Sequence, residues 1–436
     1  MLISFSFANW MSFRDRTEFS MIANDNRKHS KRLSKIRGGI KLLPLASIYG
    51  GNASGKSNFC KALKYAKKLI VNGNKTENLT NTIPYRLKED CLTAPTVFEF
   101  VLLVDTKIYE FSFSLNSSKI IEEKLIEHSN SGDEIVLYHR ENSNMRFADH
   151  DAKFDAEHFK HIFKGTRDNR LFLTNSVDQK ATYFKAIYDW FRDSLMVFEP
   201  DDKMGLEEYQ KYFKSSTNIH MVYEELGRLL NQFDTGISNV ALQEMKLKDS
   251  PLSDLIDESD LYALEENAAI NMPNGWFLTR QKGDLVLKKA VTCHQGEDGT
   301  NVEFDIMQES DGSRRLFAIL PTLFDLLPEN LSKVYVIDEI DRSIHTLLTK
   351  ELLKMYLDSC GSKSRSQLIL STHDVVLMDS KIFRCDEMWV TERNFDGSST
   401  LYSFNEYKDI WKEKNIQKKY LDGRFGGIPR FFIQET

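Results

Sequence analysis

Apolar and polar residues alternate along the amino-terminal part of the chain, follow a helical period through the middle, and mix the two periods towards the end. Leu2-Ile3-Ser4-Phe5-Ser6-Phe7 alternates, Asn9 to Phe13 interrupts, and the pattern resumes from Thr17 to Ile22, which predicts a hairpin-like pair of strands. Residues 24–39 are rich in Lys, Arg, Asn and Ser and read as a surface loop. Leu45-Ala46-Ser47-Ile48-Tyr49 is a short apolar run suited to a buried strand, and a helical period follows from Asn58 to Ala66. Alternating runs at 96–104 and 107–115, with further strands at 120–126 and 135–139, predict an antiparallel sheet beside a parallel core. From 159 to 272 the period becomes helical, at 180–196, 206–213, 220–233 and 261–271. None of these helices sustains heptads for the length of a coiled-coil arm. Strands return at 275–279, 285–290 and 301–307. A helix at 313–327, a strand at 334–337, a helix at 344–358 and a strand at 367–370 then alternate as a parallel sheet with helices on its faces requires. The expected architecture is α/β, with an amino-terminal lobe over 1–158, a helical insertion over 159–272 and a carboxy-terminal lobe over 273–436.

Composition narrows the class. The 436 residues are 41% hydrophobic and 28% charged, values of a globular protein, and no run of 18 apolar residues spans a bilayer. The first residues lack a basic leader and cleavage site, and the five cysteines show no paired spacing, so a cytoplasmic location without membrane partners is expected. A net charge of −6 argues against a chain whose whole surface coats nucleic acid. A local basic groove stays open: Lys31, Arg32, Lys35 and Arg37 are either a phosphate-binding loop or a solvated basic loop.

The chemistry begins at Gly50-Gly51-Asn52-Ala53-Ser54-Gly55-Lys56-Ser57, which fits G-x-x-x-x-G-K-[ST] between the apolar run and the helix opened by Asn58. Glycines let successive N–H groups converge on a polyphosphate such as ATP, the helix start adds its positive dipole end, Lys56 reaches the outer phosphates, and the Ser57 hydroxyl is a Mg2+ ligand. The strand Val334-Tyr335-Val336-Ile337 ends in Asp338 and Glu339, a metal-holding carboxylate followed by a base for the attacking water. His373, after the apolar run 367–370, stands where a neutral imidazole can bond a γ-phosphate. Between these segments, Ser310 and Gly312 open a helix whose free N–H groups can grip an anion. By itself such a segment is more often an ordinary capped helix start, with Ser or Asp as the N-cap.

Walker A, an S-x-G-x-[QRK] segment, an apolar strand ending in Asp-Glu, and a strand followed by Ser-Thr-His together resemble the ABC-type ATPase head, in its RecF/SMC/OLD-like branch. The opening SFSFANWMSFRD and closing KKYLDGRFGGIPRFF resemble the stand-alone ATPases of bacterial abortive-infection and phage-defence systems. The resemblance implies ATP and Mg2+ as cofactors, and a homodimer or higher homo-oligomer formed by an ATP sandwich. In it Ser310 and Gly312 close over the γ-phosphate held by a second subunit, and Asp341 stands in the loop that communicates across the dimer. Relatives carry Arg where this chain has Met11, and the family's Q-loop glutamine is sought after a strand at 170–174, at Gln179 or Asn175. The implied function is a switch ATPase controlling a separate nuclease or toxin, RloB-like or TOPRIM-like, with a nucleic acid or phage protein as trigger. The alternatives are a DNA-repair ATPase and an OLD-like nucleic-acid enzyme. The latter requires a later Asp-x-Asp, and none follows His373.

Overall fold

The amino-terminal alternation becomes strand β1 (Leu2–Ala8), with Phe5 and Phe7 buried, paired antiparallel with β2 (Thr17–Ser20). Two short strands, β3 (Ser34–Lys35) and β4 (Lys41–Leu42), pair with each other before the fully buried β5 (Leu45–Tyr49). Strands β6 (Thr96–Val104), β7 (Lys107–Leu115), β8 (Ile120–His128), β9 (Glu134–Glu141) and β10 (Asn144–Phe147) complete an antiparallel sheet in the order β10-β9-β8-β7-β6-β1-β2. Helix α1 (Lys56–Asn72) buries Phe59, Leu63, Ala66 and Ile70. Phe59 sets its ring 5.9 Å from Phe5 and 5.0 Å from Phe19, inside one aromatic-rich core that also takes Ile48 of β5 and Trp389. Removing such a ring costs about 3–5 kcal/mol, so α1 is anchored by the sheet beneath it.

The structure is a computed structural model that describes residues 1–74, 79–129, 132–148, 155–201, 219–253, 264, 269–272, 275–326, 332–407, 410 and 415–428. It divides into one unit of Met1–Pro200, Leu326–Asp341 and Lys350–Thr436, and a second of Asp201–Asp325 and Arg342–Thr349. The stretch expected to be helical is mixed. Helices α2 (Ala156–Lys164) and α3 (Phe172–Asp178) precede a strand, β11 (Leu195–Phe198). The strand expected at 170–174 is instead the start of α3, because the buried Glu123 carboxylate accepts from the N–H groups of Phe172 (2.6 Å) and Leu173 (2.9 Å) and so caps a helix. The helices expected at 206–213 and over most of 261–271 lie outside the described residues.

In the second unit, helix α4 (Ile219–Gln232) is followed by β12 (Asn239–Lys246), β13 (Ala269–Asn271), β14 (Phe277–Gln281), β15 (Asp284–Gln295) and β16 (Asn301–Asp305). The sheet order is β12-β15-β14-β13, with β16 also on β15. Strand β12 has little β-propensity of its own. Eight antiparallel pairings with β15, from Asn239 opposite Cys293 to Lys246 opposite Val286, set its conformation, a tertiary effect that overrides local preference. Leu247, Leu264, Leu278 and Leu287 form this unit's small core, and helix α5 (Asp311–Leu326) follows.

The first unit's second sheet is built from β17 (Val334–Ile337), β18 (Gln367–Ser371) after helix α6 (Thr346–Ser359), and a hairpin of β19 (Met388–Arg393) and β20 (Ser399–Ser403). Its order is β11-β17-β18-β5-β19-β20, parallel from β11 through β19, with only β20 antiparallel. The short helix α7 (Ile416–Leu421) closes the described chain. The α/β class and the separate antiparallel sheet agree with the sequence reading. The insertion does not, since it carries β11, β12 and β13 as well as helices.

Candidate functional site

Carboxyl ends of parallel strands open onto the crevice of an α/β sheet, and β5, β17 and β18 deliver their following loops there. After β5 the chain turns at Gly50 (φ 148°), where a Cβ would lie 2.4 Å from Thr391 Oγ1 and 2.5 Å from the Thr391 carbonyl. Only glycine fits. Gly55 (φ 123°) is equally confined, by Ser399 Oγ at 2.8 Å and Phe13 Cζ at 3.0 Å from the position of a Cβ. The Ser54 and Thr391 hydroxyls are bonded at 2.6 Å. Lys56, 4% exposed, donates to the carbonyls of Gly50 (2.8 Å) and Gly51 (2.9 Å), and burial brings its pKa down to about 8. Asn58 donates to Ser12 Oγ (2.8 Å), while its carbonyl accepts from the Trp10 indole (2.9 Å).

Asp338 is 1% exposed at the end of β17, and its carboxylate accepts a hydrogen bond from Ser371 Oγ. The same Ser371 oxygen accepts from the N–H of Glu339 at 2.9 Å, and Glu339 adopts φ 49°, which turns the chain out of the strand. One serine on the neighbouring strand therefore fixes both acids. His373 Nε2 lies 3.8 Å from a Glu339 carboxylate oxygen. Burial, followed by the charge of Lys56, lowers the His373 pKa and favours its neutral form. A cavity of about 430 Å³ is lined by Asn52, Ala53, Ser54, Gly55, Lys56, Ser57 and Asn58 together with Glu339 and His373. Asp341, half-buried, follows in the turn after Ile340.

A second cavity, of about 510 Å³, shares Ala53 and Asn58 with the first and is walled by Met11, Ser12, Tyr85, Arg86, Leu87 and Arg393. Position 11 carries no charge, yet two guanidinium groups line the same space. Neither Arg86 nor Arg393 belongs to a motif, so the sequence reading passed over both. The strand expected at 170–174, after which the glutamine was sought, is a helix start. Strand β17 pairs in parallel with β18 on one side and with β11 on the other, and β11 is followed by Glu199, which pairs with Lys64 at 2.7 Å. Asn175 instead lies buried in α3, donating to the Ile162 carbonyl (3.2 Å) and Thr166 Oγ1 (2.8 Å), and Gln179 is that helix's C-cap.

In the second unit, Ser310 caps the start of α5 by accepting from the Ser313 N–H at 3.1 Å. A Cβ on Gly312 would lie 2.7 Å from the Ser343 carbonyl. Ser310, Gly312 and Ser313 border a cavity of about 210 Å³ with Asp234, Thr235 and His345, all within that unit.

A family described as "AAA domain, putative AbiEii toxin, Type IV TA system" matches residues 45–379, from β5 past His373. The chain belongs to this family. It thus carries an AAA-type, nucleotide-binding ATPase domain. Comparison with curated proteins returns no match. Among solved structures, an SMC head bound to the C-terminal winged-helix domain of ScpA covers 92% of this chain and 97% of its own, at 12% identity and a TM-score of 0.41. The SMC head domain from Thermotoga maritima covers 92% and 98%, at 12% identity and a TM-score of 0.35. Among the described residues, no helix is long and apolar enough to cross a membrane.

Proposed function

We propose that this protein is an ATP-hydrolysing switch of a cytoplasmic anti-phage system, whose nucleotide state controls a separate nuclease or toxin. The observation that carries the reading is the 430 Å³ cavity, in which a phosphate-binding loop, an acid and an imidazole meet. The donors suit ATP and Mg2+: the loop offers converging N–H groups and the Lys56 cation, while Ser57 and Asp338 offer the hard oxygens that Mg2+ prefers. Mg2+, when bound, neutralises phosphate charge. Glu339 orients and deprotonates the attacking water, and neutral His373 donates to the γ-phosphate. The cavity bearing Arg86 and Arg393 takes the nucleoside end, where their charges replace the one missing at Met11.

Ser310 and Gly312 complete the site from a second subunit, with Asp341 at the junction, so that ATP joins two copies. A protein of this kind acts through contacts that differ between nucleotide states. The family's description names a putative toxin of a toxin–antitoxin system, which supports a second component acting beside this chain. The purified chain should hydrolyse ATP and leave DNA and RNA intact. Glu339→Gln should bind ATP and fail to turn it over, and Lys56→Ala should lose most affinity. Magnesium-dependent cleavage of nucleic acid by the single chain, abolished by mutation within it, would replace the switch with the nuclease reading.

A further inference from the structure

The amino ends of the parallel strands form an edge that the ATP site does not use. Residues 26–44 contain seven Lys and Arg and no Asp or Glu, in a chain whose net charge is −6. The connection before β18 adds Lys363 and Arg365, the one before β19 adds Lys381, and β18, β5 and β19 are neighbours in the sheet. The three connections touch. The Lys35 N–H donates to the Ser362 carbonyl (3.1 Å), Arg365 donates to the Lys35 carbonyl (3.2 Å), and Arg32 donates to the Ile382 carbonyl (2.8 Å).

Three acids nearby are neutralised from within, Glu387 by Arg32 (2.5 Å), Asp386 by Arg384 (2.7 Å) and Asp379 by Lys350 (2.8 Å), while Asp25 is exposed at the start of the basic segment. Lys28, Lys31, Lys35, Lys41, Lys363 and Lys381 are exposed, and no ion pair holds them among the described residues. Six unpaired ammonium groups on one edge attract a polyanion.

We propose that this edge docks the sugar–phosphate backbone of a double-stranded nucleic acid. The residues between the lysines favour that over a lipid surface. Asn24, Asn26, Ser30 and Ser362 can bond phosphate and sugar oxygens, whereas no large apolar side chain of residues 27–41 is exposed for insertion into a bilayer. Leu33 is buried, and Ile36 and Ile40 pack on Met1, Ile3, Leu42 and Leu103. The five residues of β5 separate this edge from the phosphate loop by about 17 Å, at about 3.3 Å per residue, so the polyanion and ATP do not compete.

The test is fluorescence anisotropy of the full chain with labelled duplex DNA, duplex RNA and, separately, phosphatidylserine vesicles, across a salt series. Six phosphate contacts give a slope of log K on log salt of about −5, or roughly a thousandfold loss between 50 and 200 mM. The triple variant Lys35→Ala, Lys363→Ala, Lys381→Ala removes one lysine from each connection. It should lower the slope by about 3 and weaken duplex binding at least tenfold, with basal ATP turnover unchanged. Preference for DNA or RNA names the source of the backbone. Absence of duplex binding at 50 mM salt, binding to vesicles alone, or an unchanged slope in the triple variant would overturn the proposal. If the triple variant melts at a lower temperature, the single exposed change Lys363→Glu decides the matter, and duplex binding as tight as wild type then overturns it.

Discussion

The Lys56 ammonium is 4% exposed, and its pKa falls to about 8 because burial disfavours the charged form more than Asp338 and Glu339 restore it. In the proposed complex ATP brings phosphate charge to this ammonium and selects the protonated form, so the lysine's pKa should rise again on binding. The sign follows: affinity is full below pH 8 and is lost as pH rises through 8, with a proton taken up on binding. For a free-protein pKa of about 8, the apparent Kd rises about twofold by pH 8 and about tenfold from pH 7 to pH 9, or roughly 1.4 kcal/mol. ATP's own phosphates are ionised above about pH 6 and contribute little to that slope. Titration calorimetry with a non-hydrolysable ATP analogue and Mg2+, in buffers of different ionisation enthalpy, reads both affinity and proton uptake. Uptake should approach one proton at pH 9 and be near zero at pH 7. A Kd that stays flat or tightens between pH 7 and 9 would refute the reasoning, as would Lys56→Ala showing the same pH dependence as wild type.

Ser371→Ala removes the hydroxyl that holds both Asp338 and the Glu339 N–H, and should lower kcat about 10- to 100-fold while ATP affinity changes only a few-fold, measured by steady-state turnover and binding. Gly427→Ala places a Cβ 2.2 Å from Val390 Cγ1 at φ +67°, so it should destabilise the fold by about 1–3 kcal/mol, read as an earlier denaturant midpoint. Subunits carrying Lys56→Ala and subunits carrying Ser310→Arg should each be inactive and should regain turnover when mixed, since one heterodimer site is intact; no recovery despite demonstrated exchange contradicts a site built from two copies. Gly312 is unsuited to that experiment, because any side chain there meets the Ser343 carbonyl of its own unit.

The strands of the candidate site are legible in the sequence where each is wholly buried. The run Val334–Ile337 has one apolar face too many for an amphipathic strand, and it is an interior strand, between β11 and β18, with Asp338 at its end. The P-loop was legible because its glycines answer a local need. Ser371 was not singled out: a serine at a strand end is ordinary, and only the parallel register of β17 and β18 brings its hydroxyl to Asp338. The error at 170–174 has the same origin, since Glu123, distant in sequence, decides that a helix starts there. Likewise β11 is four residues long and follows a helical turn, so its identity rests on its pairing with β17.

Long-range support of the P-loop also changes how the carboxy-terminal motif should be understood. The Gly427 carbonyl accepts from the N–H of Gly51 at 2.9 Å and from the Tyr420 hydroxyl at 2.8 Å, and the Phe425 carbonyl accepts from the hydroxyls of Tyr402 (2.6 Å) and Tyr407 (3.0 Å). Gly426 and Gly427 both adopt left-handed φ values where a Cβ would collide, so the backbone itself is what the site requires at this point. The β19–β20 hairpin adds Thr391 against Gly50 and Ser399 against Gly55. The loop between β5 and α1 is thus held by segments more than 300 residues away in the chain. Displacement of the carboxy-terminal segment would release the Gly51 N–H and unsettle the phosphate cradle, whereas a change confined to the Walker helix would leave that support in place.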